Sequence, residues 1–167
     1  MLYNSNNFQV RLDQQNWTFE VTLNIVSIMV FRNSGLYCII VTLGTKRRIK
    51  VGELGIFTFT PGTYLYVGSA KKGLSARVAR HKKRLKPLRW HIDYLRSYSR
   101  WFGATMYNGL INECMLVDKI KTLINGKIPV VSFGSSDCRC SGHLIQTRLS
   151  AENIIQLLQS IKTATNA

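Results

Sequence analysis

Gly62-Thr-Tyr-Leu-Tyr-Val-Gly-Ser-Ala-Lys-Lys-Gly-Leu-Ser-Ala-Arg-Val-Ala-Arg-His81 changes character half-way along, and that change decides the fold. Tyr64 to Val67 is rich in aromatic and β-branched residues and reads as a strand. Gly68 and Gly73 bracket a short polar turn, and a helix follows from Leu74. At about 100° per residue, Leu74, Val78 and Leu85 fall within roughly 40° of one another and form an apolar stripe. The helix is expected to run to about Leu85 and must end before Pro87. Arg77 and His81, four apart, sit on the edge of the stripe, so both point toward whatever the helix packs on. An inward-leaning Arg and His, fed by a Tyr-bearing strand, mark a place to look for chemistry.

Working outward, Gly35 to Leu43 is a short apolar run opened and closed by Gly, the pattern of a buried strand. Arg47 to Thr60 suggests one or two short strands, with Gly52 and Gly55 at turns. Trp90 to Tyr98 reads as a second helix, with Trp90, Tyr94 and Tyr98 at four-residue spacing. Arg100 to Tyr107 is a strand ended by Asn108-Gly109. Ile111 to Asn125 is the clearest helix, with Gly126 as its left-handed cap and Pro129 beyond. Val130 to His143 reads as a loop of Gly, Ser and Cys. Ser150 caps a final helix with Ile154, Ile155, Leu158 and Ile161 on one face. The expected fold is α+β around a small sheet. Residues 1–34 form an Asn-rich extension with one candidate strand, Phe19 to Val26, and a candidate internal start at Met29; residues 35–147 form the domain, and residues 148–167 an amphipathic helix packed on it.

The 167 residues suit one domain with a proper core. The 23 Lys and Arg against 8 Asp and Glu, a formal charge of +15, call for a polyanionic partner, nucleic acid by default. From Lys71 to Arg89 there are nine basic residues and no acid. A solvated face is the plain reading of such a run, but its self-repulsion is better explained by phosphate. Lys71, Lys72, Arg80, Lys83, Arg84 and Arg139 are the expected nucleic-acid contacts. The stripe is too narrow for a membrane-surface helix. Trp17 to Phe31 contains Glu20 and Asn24 and is too short to span a bilayer. The four cysteines need not pair, and a soluble, cytoplasmic protein is expected.

Glu113 is the only acid in the first two turns of its helix, and Leu116, Val117, Ile120 and Ile124 project within about 60° of it. A carboxylate on an apolar face needs a partner, water at the helix start, or a cation; Mg²⁺ prefers such oxygen ligands. The loop Asp137 to His143 places Cys138, Cys140 and His143 within a few residues. A zinc site there would want a fourth ligand, Cys114 or His91; reduced thiols in a structural loop are the plain alternative. His91 also reads as a core histidine beside Tyr94 and Leu95.

In order along the chain stand Gly35-Leu36-Tyr37, Tyr66-Val67-Gly68, Arg77, His81 and Glu113. This arrangement resembles the GIY-YIG endonuclease superfamily. Within it, Gly62 to Ala70, Trp90 to Leu95, Glu113-Cys114 and Phe133 to His143 resemble an uncharacterised, largely archaeal (Uri-type) branch, also found fused to endonuclease III-like glycosylases. The resemblance covers residues 34–147. It implies a small antiparallel sheet of about three strands flanked by helices. It also implies hydrolysis of DNA phosphodiesters, including structured or damaged DNA, with one divalent ion, Mg²⁺ or Mn²⁺. A repair enzyme is an implied partner. Tyr37 and Tyr66 would be the motif tyrosines, one of them the general base. Arg77 would hold the scissile phosphate, His81 would assist proton transfer or hold a tyrosine, and Glu113 would bind the metal. The late Asn of several such nucleases has no clear counterpart; Ser135, Ser136 and Asp137 lie nearest to it.

The chemistry agrees with each role. A phosphodiester is already an anion, so the attacking water must lose a proton while a cation and a planar Arg fork offset the added charge. Tyrosine, with an ordinary pKa near 10, is a poor base without a neighbour's help, and His81 is the side chain best poised near neutrality. The alternative is a non-catalytic module that binds nucleic acid, DNA or RNA, on the same scaffold.

Overall fold

The computed structural model describes residues 33–107 and 111–165. Residues 1–32 of the extension, with its candidate strand and start site, and the expected turn at Asn108-Gly109 lie outside the described residues. Four strands form one antiparallel sheet: β1 (Gly35–Leu43), β4 (Gly62–Ala70), β5 (Arg100–Tyr107) and β6 (Leu144–Thr147), in the order β5-β1-β4-β6. A separate hairpin pairs β2 (Arg47–Val51) with β3 (Gly55–Phe59). The helices are α1 (Leu74–Lys82), α2 (His91–Arg96), α3 (Glu113–Leu123) and α4 (Ala151–Thr165). The architecture is α+β, with one strand more in the main sheet than the resemblance implies.

The apolar run of β1 follows from burial on both of its faces, since its side chains alternate between two cores. Tyr37, Ile39, Val41 and Leu43 join Tyr64, Tyr66, Leu74, Ile92, Leu95 and the hairpin residues Ile49, Val51 and Phe59. Leu36, Cys38 and Ile40 point the other way, into Leu65, Val67, Leu116, Val117, Ile120, Ile154 and Leu158. The sheet is thus sandwiched, with α1, α2 and the hairpin on one face and α3 and α4 on the other. At 25 cal/mol per Å² or so, these two apolar layers supply the main drive for folding.

Several boundaries differ from the sequence reading. Helix α1 stops at Lys82, because Lys83 is extended (ψ 131°), and Leu85 is 93% exposed and no part of the stripe. Helix α2 stops at Arg96, and Tyr98 is exposed. The left-handed residue after α3 is Asn125 (φ 46°), not Gly126; the Asn side chain tolerates that conformation. Asn112 caps the start of α3, its side-chain oxygen accepting from the Met115 N–H at 2.9 Å. The final helix begins as expected, its Asn153 N–H donating to Ser150 Oγ, and its buried Ile154 and Leu158 make it part of the core.

Candidate active site

Register explains the motif glycine. Tyr37 on β1 lies opposite Gly68 on β4, and Ile39 lies opposite Tyr66, so both tyrosines stand on the same face of the sheet. The Tyr37 ring folds over Gly68, where a Cβ would come 2.5 Å from the hydroxyl oxygen and 2.6 Å from Cζ. Tyr66 is seated the same way against Gly134, whose φ of +78° and lack of Cβ let the ring approach. The two ring centroids are 6.5 Å apart.

Beneath them sits His81, buried on the inner side of α1. Its Nε2 is 2.9 Å from the Tyr37 hydroxyl, and its Nδ1 lies 3.6 Å from Asp93 Oδ1. Asp93 is an unforeseen member of the site. Its carboxylate is fully buried and receives Lys86 Nζ at 2.8 Å, Arg80 Nη1 at 3.1 Å and the backbone N–H groups of Arg89 and Trp90. Burial alone would raise this carboxyl; His81 beside it, with Lys86, the Arg89 N–H and Arg80, outweighs it and holds Asp93 well below the usual carboxylate range. His81 is pushed below its ordinary value by burial, only partly offset by Asp93. Nε2 shares one hydrogen bond with the Tyr37 hydroxyl, while the buried Nδ1 faces Asp93 across 3.6 Å and has no hydrogen-bond partner. Burial also pushes both tyrosine hydroxyls far up; Arg77 pulls Tyr37 the other way, while Glu113 and Asp93 add to the rise at both.

Above this layer opens a cleft of about 310 Å³ lined by Tyr37, Tyr66, Arg77, Glu113 and, among others, Arg89, His91, Ser136 and Asp137. Of the five expected catalytic residues, four face the cleft and His81 supports Tyr37 from below. Arg77 is half-buried, its guanidinium 4.9 Å from the Trp90 ring centre. Glu113, the first residue of α3, reaches the cleft past the sheet end. It is not enclosed among apolar side chains as its helical position suggests: its side chain is 24% exposed and its Oε2 lies 3.6 Å from His143 Nδ1.

The expected nucleic-acid contacts divide. Lys71, Lys72, Lys83 and Arg139 are exposed. Arg84 is exposed but donates to the Ser97 carbonyl at 2.8 Å. Arg80 is turned inward to Asp93 and the Pro87 carbonyl, with Trp90 4.3 Å from its guanidinium carbon. Arg89, in the basic run but not singled out, lines the cleft. His91 is no core residue: it faces the cleft, and its Nδ1 accepts the Gly134 N–H at 2.9 Å.

Beside the cleft, Cys114, Cys138, Cys140 and His143 place their donor atoms within 4.8 Å of one another. Cys114 on α3 therefore completes the loop's Cys138-Cys140-His143 set, and His91 does not. All four cysteines are free thiols. Burial and the neighbouring sulfurs push the Cys140 thiol well up.

A four-stranded antiparallel sheet between helical layers, with a polar cleft at its end and a thiol–imidazole cluster beside it, defines the class. The chain belongs to the family described as Domain of unknown function DUF123, whose model matches residues 36–166 and so spans the cleft, the cluster and α4. No curated protein and no solved structure matches it. Among the described residues no helix is long and apolar enough to cross a membrane.

Proposed function

We propose that this protein is a divalent-metal-dependent endonuclease that hydrolyses phosphodiester bonds in DNA, and that its family is a branch of the GIY-YIG superfamily. The observation that carries the proposal is the convergence of Tyr37, Tyr66, Arg77 and Glu113, from four different elements, on one open cleft. The exposed Lys71 and Lys72, directly after β4, extend positive charge from its edge.

Arg77 presents a planar fork of donors to a phosphate in the cleft, steadied by Trp90. Glu113 supplies a partly exposed carboxylate in a cleft that also holds Asp137 and Ser136, an oxygen-rich set that suits Mg²⁺ or Mn²⁺. The bound ion would offset charge building on the phosphoryl oxygens. Tyr37 removes a proton from the attacking water while passing its own hydroxyl proton to Nε2 of His81. Because its phenol is strongly protonated, it acts by this concerted transfer and not as a standing phenolate. The resulting imidazolium faces Asp93 through Nδ1, and the proton is later released to the departing oxygen or to solvent. Asp93 is a positioning residue, holding the His81 tautomer.

The raised phenols also favour a second reading, a module that holds nucleic acid without cutting. Titration with Mg²⁺ or Mn²⁺ separates the two: the nuclease nicks structured or damaged DNA in proportion to occupancy of a saturable site, whereas a pure binder shows no metal dependence. A salt titration does not, since phosphate contacts weaken with salt in both.

A further inference from the structure

We infer that Cys114, Cys138, Cys140 and His143 form a closed tetrahedral zinc site that braces one wall of the cleft and orients Glu113 through the outer nitrogen of His143. With zinc–sulfur bonds of about 2.3 Å and a zinc–nitrogen bond of about 2.0 Å, tetrahedral donors stand about 3.5 to 3.8 Å apart. The donors here straddle that spacing: Cys114 to Cys138 at 3.5 Å, Cys138 to Cys140 at 3.0 Å, and His143 Nε2 to Cys140, Cys138 and Cys114 at 3.0, 3.4 and 4.0 Å. Three soft thiolates and one imidazole select zinc over magnesium, and four protein ligands leave no open position, so the ion is structural.

The connectivity gives the site its purpose. Cys114 follows Glu113 at the start of α3, Cys138 follows Ser136 and Asp137 in the loop, and His143 leads into β6. One ion therefore ties α3, the loop and the sheet together at the cleft wall formed by Glu113, Gly134, Ser136 and Asp137. His143 uses Nε2 toward the sulfurs and turns Nδ1 toward Glu113 Oε2 at 3.6 Å. A ligating histidine regularly donates its second N–H to a carboxylate, which fixes the ring and strengthens the ligand. Without the ion, the loop has little apolar anchorage beyond Val130 and Phe133.

The zinc site stands on its own; only the meaning of orienting Glu113 rests on the nuclease reading. The test is metal content and cobalt spectroscopy of the full chain purified under reducing conditions. One zinc per chain is expected, and cobalt exchange should give tetrahedral d–d bands and a thiolate-to-cobalt charge-transfer band. Cys140→Ser should lose about a third of that charge-transfer intensity, one thiolate of three. Glu113→Gln should keep the cobalt spectrum while weakening zinc affinity about 10- to 100-fold. Wild-type protein that holds no zinc and gives no charge-transfer band overturns the site, whatever its action on DNA. An unchanged zinc affinity in Glu113→Gln overturns the link to Glu113, and an unaltered spectrum in Cys140→Ser removes that ligand.

Discussion

The Tyr37 hydroxyl lies 2.9 Å from Nε2 of His81, joining β1 to α1 through a buried hydrogen bond at the floor of the cleft. As the proposed proton conduit, the pair needs both groups. Tyr37→Phe preserves the ring and removes the hydroxyl. It is expected to lower the single-turnover cleavage rate by about 10²- to 10⁴-fold, with DNA affinity changed little. Rates and binding isotherms measured on the same preparation check this.

Gly68 is required by that ring and not by its own backbone angle. In Gly68→Ala, the new methyl would sit 2.5 Å from the Tyr37 oxygen, and the ring, hemmed in by Tyr66 and His81, has little room to move. Overpacking of this kind costs about 1–3 kcal/mol. Denaturant unfolding should show that loss, accompanied by loss of the Tyr37–His81 bond and of cleavage.

Asp93 gathers the charges of α1 and the segment after it. Asp93→Ala leaves Lys86, whose side chain is 4% exposed, and the partly buried Arg80 without their carboxylate. Removing one partner of such a buried group is expected to destabilise by about 3–5 kcal/mol. In Asp93→Ala with Lys86→Met, the uncompensated buried ammonium is gone, and part of the loss should be recovered. Urea midpoints of the single and double variants check this.

Acid should weaken the fold in two stages. His81 is held below its ordinary 6.5. As pH falls through 6.5, the unfolded chain takes up a proton that the folded chain refuses, so this contribution is complete above 6.5 and declines below it. Asp93, held below its ordinary 3.8, adds a further decline once the unfolded carboxyl begins to protonate. Unfolding free energy measured between about pH 7 and about pH 4 should fall with acid, and His81→Gln should reduce the slope of the upper part of the curve, to which His91, also lowered by burial, still contributes. Imidazole resonances should place the His81 midpoint below 6.5.

Much of this was legible in sequence where a residue's neighbours are also close along the chain. The two-faced burial of β1 shows in its unbroken apolar run, and the strand–turn–helix from Gly62 to His81 shows in its change of period. Strand β6 does not show: Leu144 to Thr147 is four residues at the end of a Gly-, Ser- and Cys-rich loop, and its strand character comes from pairing with Thr63 to Tyr66. Helix α1 reads too long because nothing before Pro87 forbids helix, while the chain turns extended at Lys83. Asp93 escaped notice because its partners His81 and Arg80 belong to α1 and Lys86 to the segment after it; its one local sign is its place three residues after Trp90, where a side chain caps a helix. Likewise the choice between Cys114 and His91 as fourth ligand depends on how α3 meets the loop, which no spacing encodes.

The proposed nuclease chemistry turns on Glu113. The most direct measurement is cleavage of DNA by the zinc-replete wild type and Glu113→Gln, with Mg²⁺ or Mn²⁺ and at matched DNA occupancy. Cutting by the wild type is expected, with a loss of about 10²-fold or more in Glu113→Gln and binding intact, as follows when a group that stabilises the transition state is removed. Equal cutting by the two proteins, or tight metal-independent binding with no cutting by either, would contradict the nuclease reading.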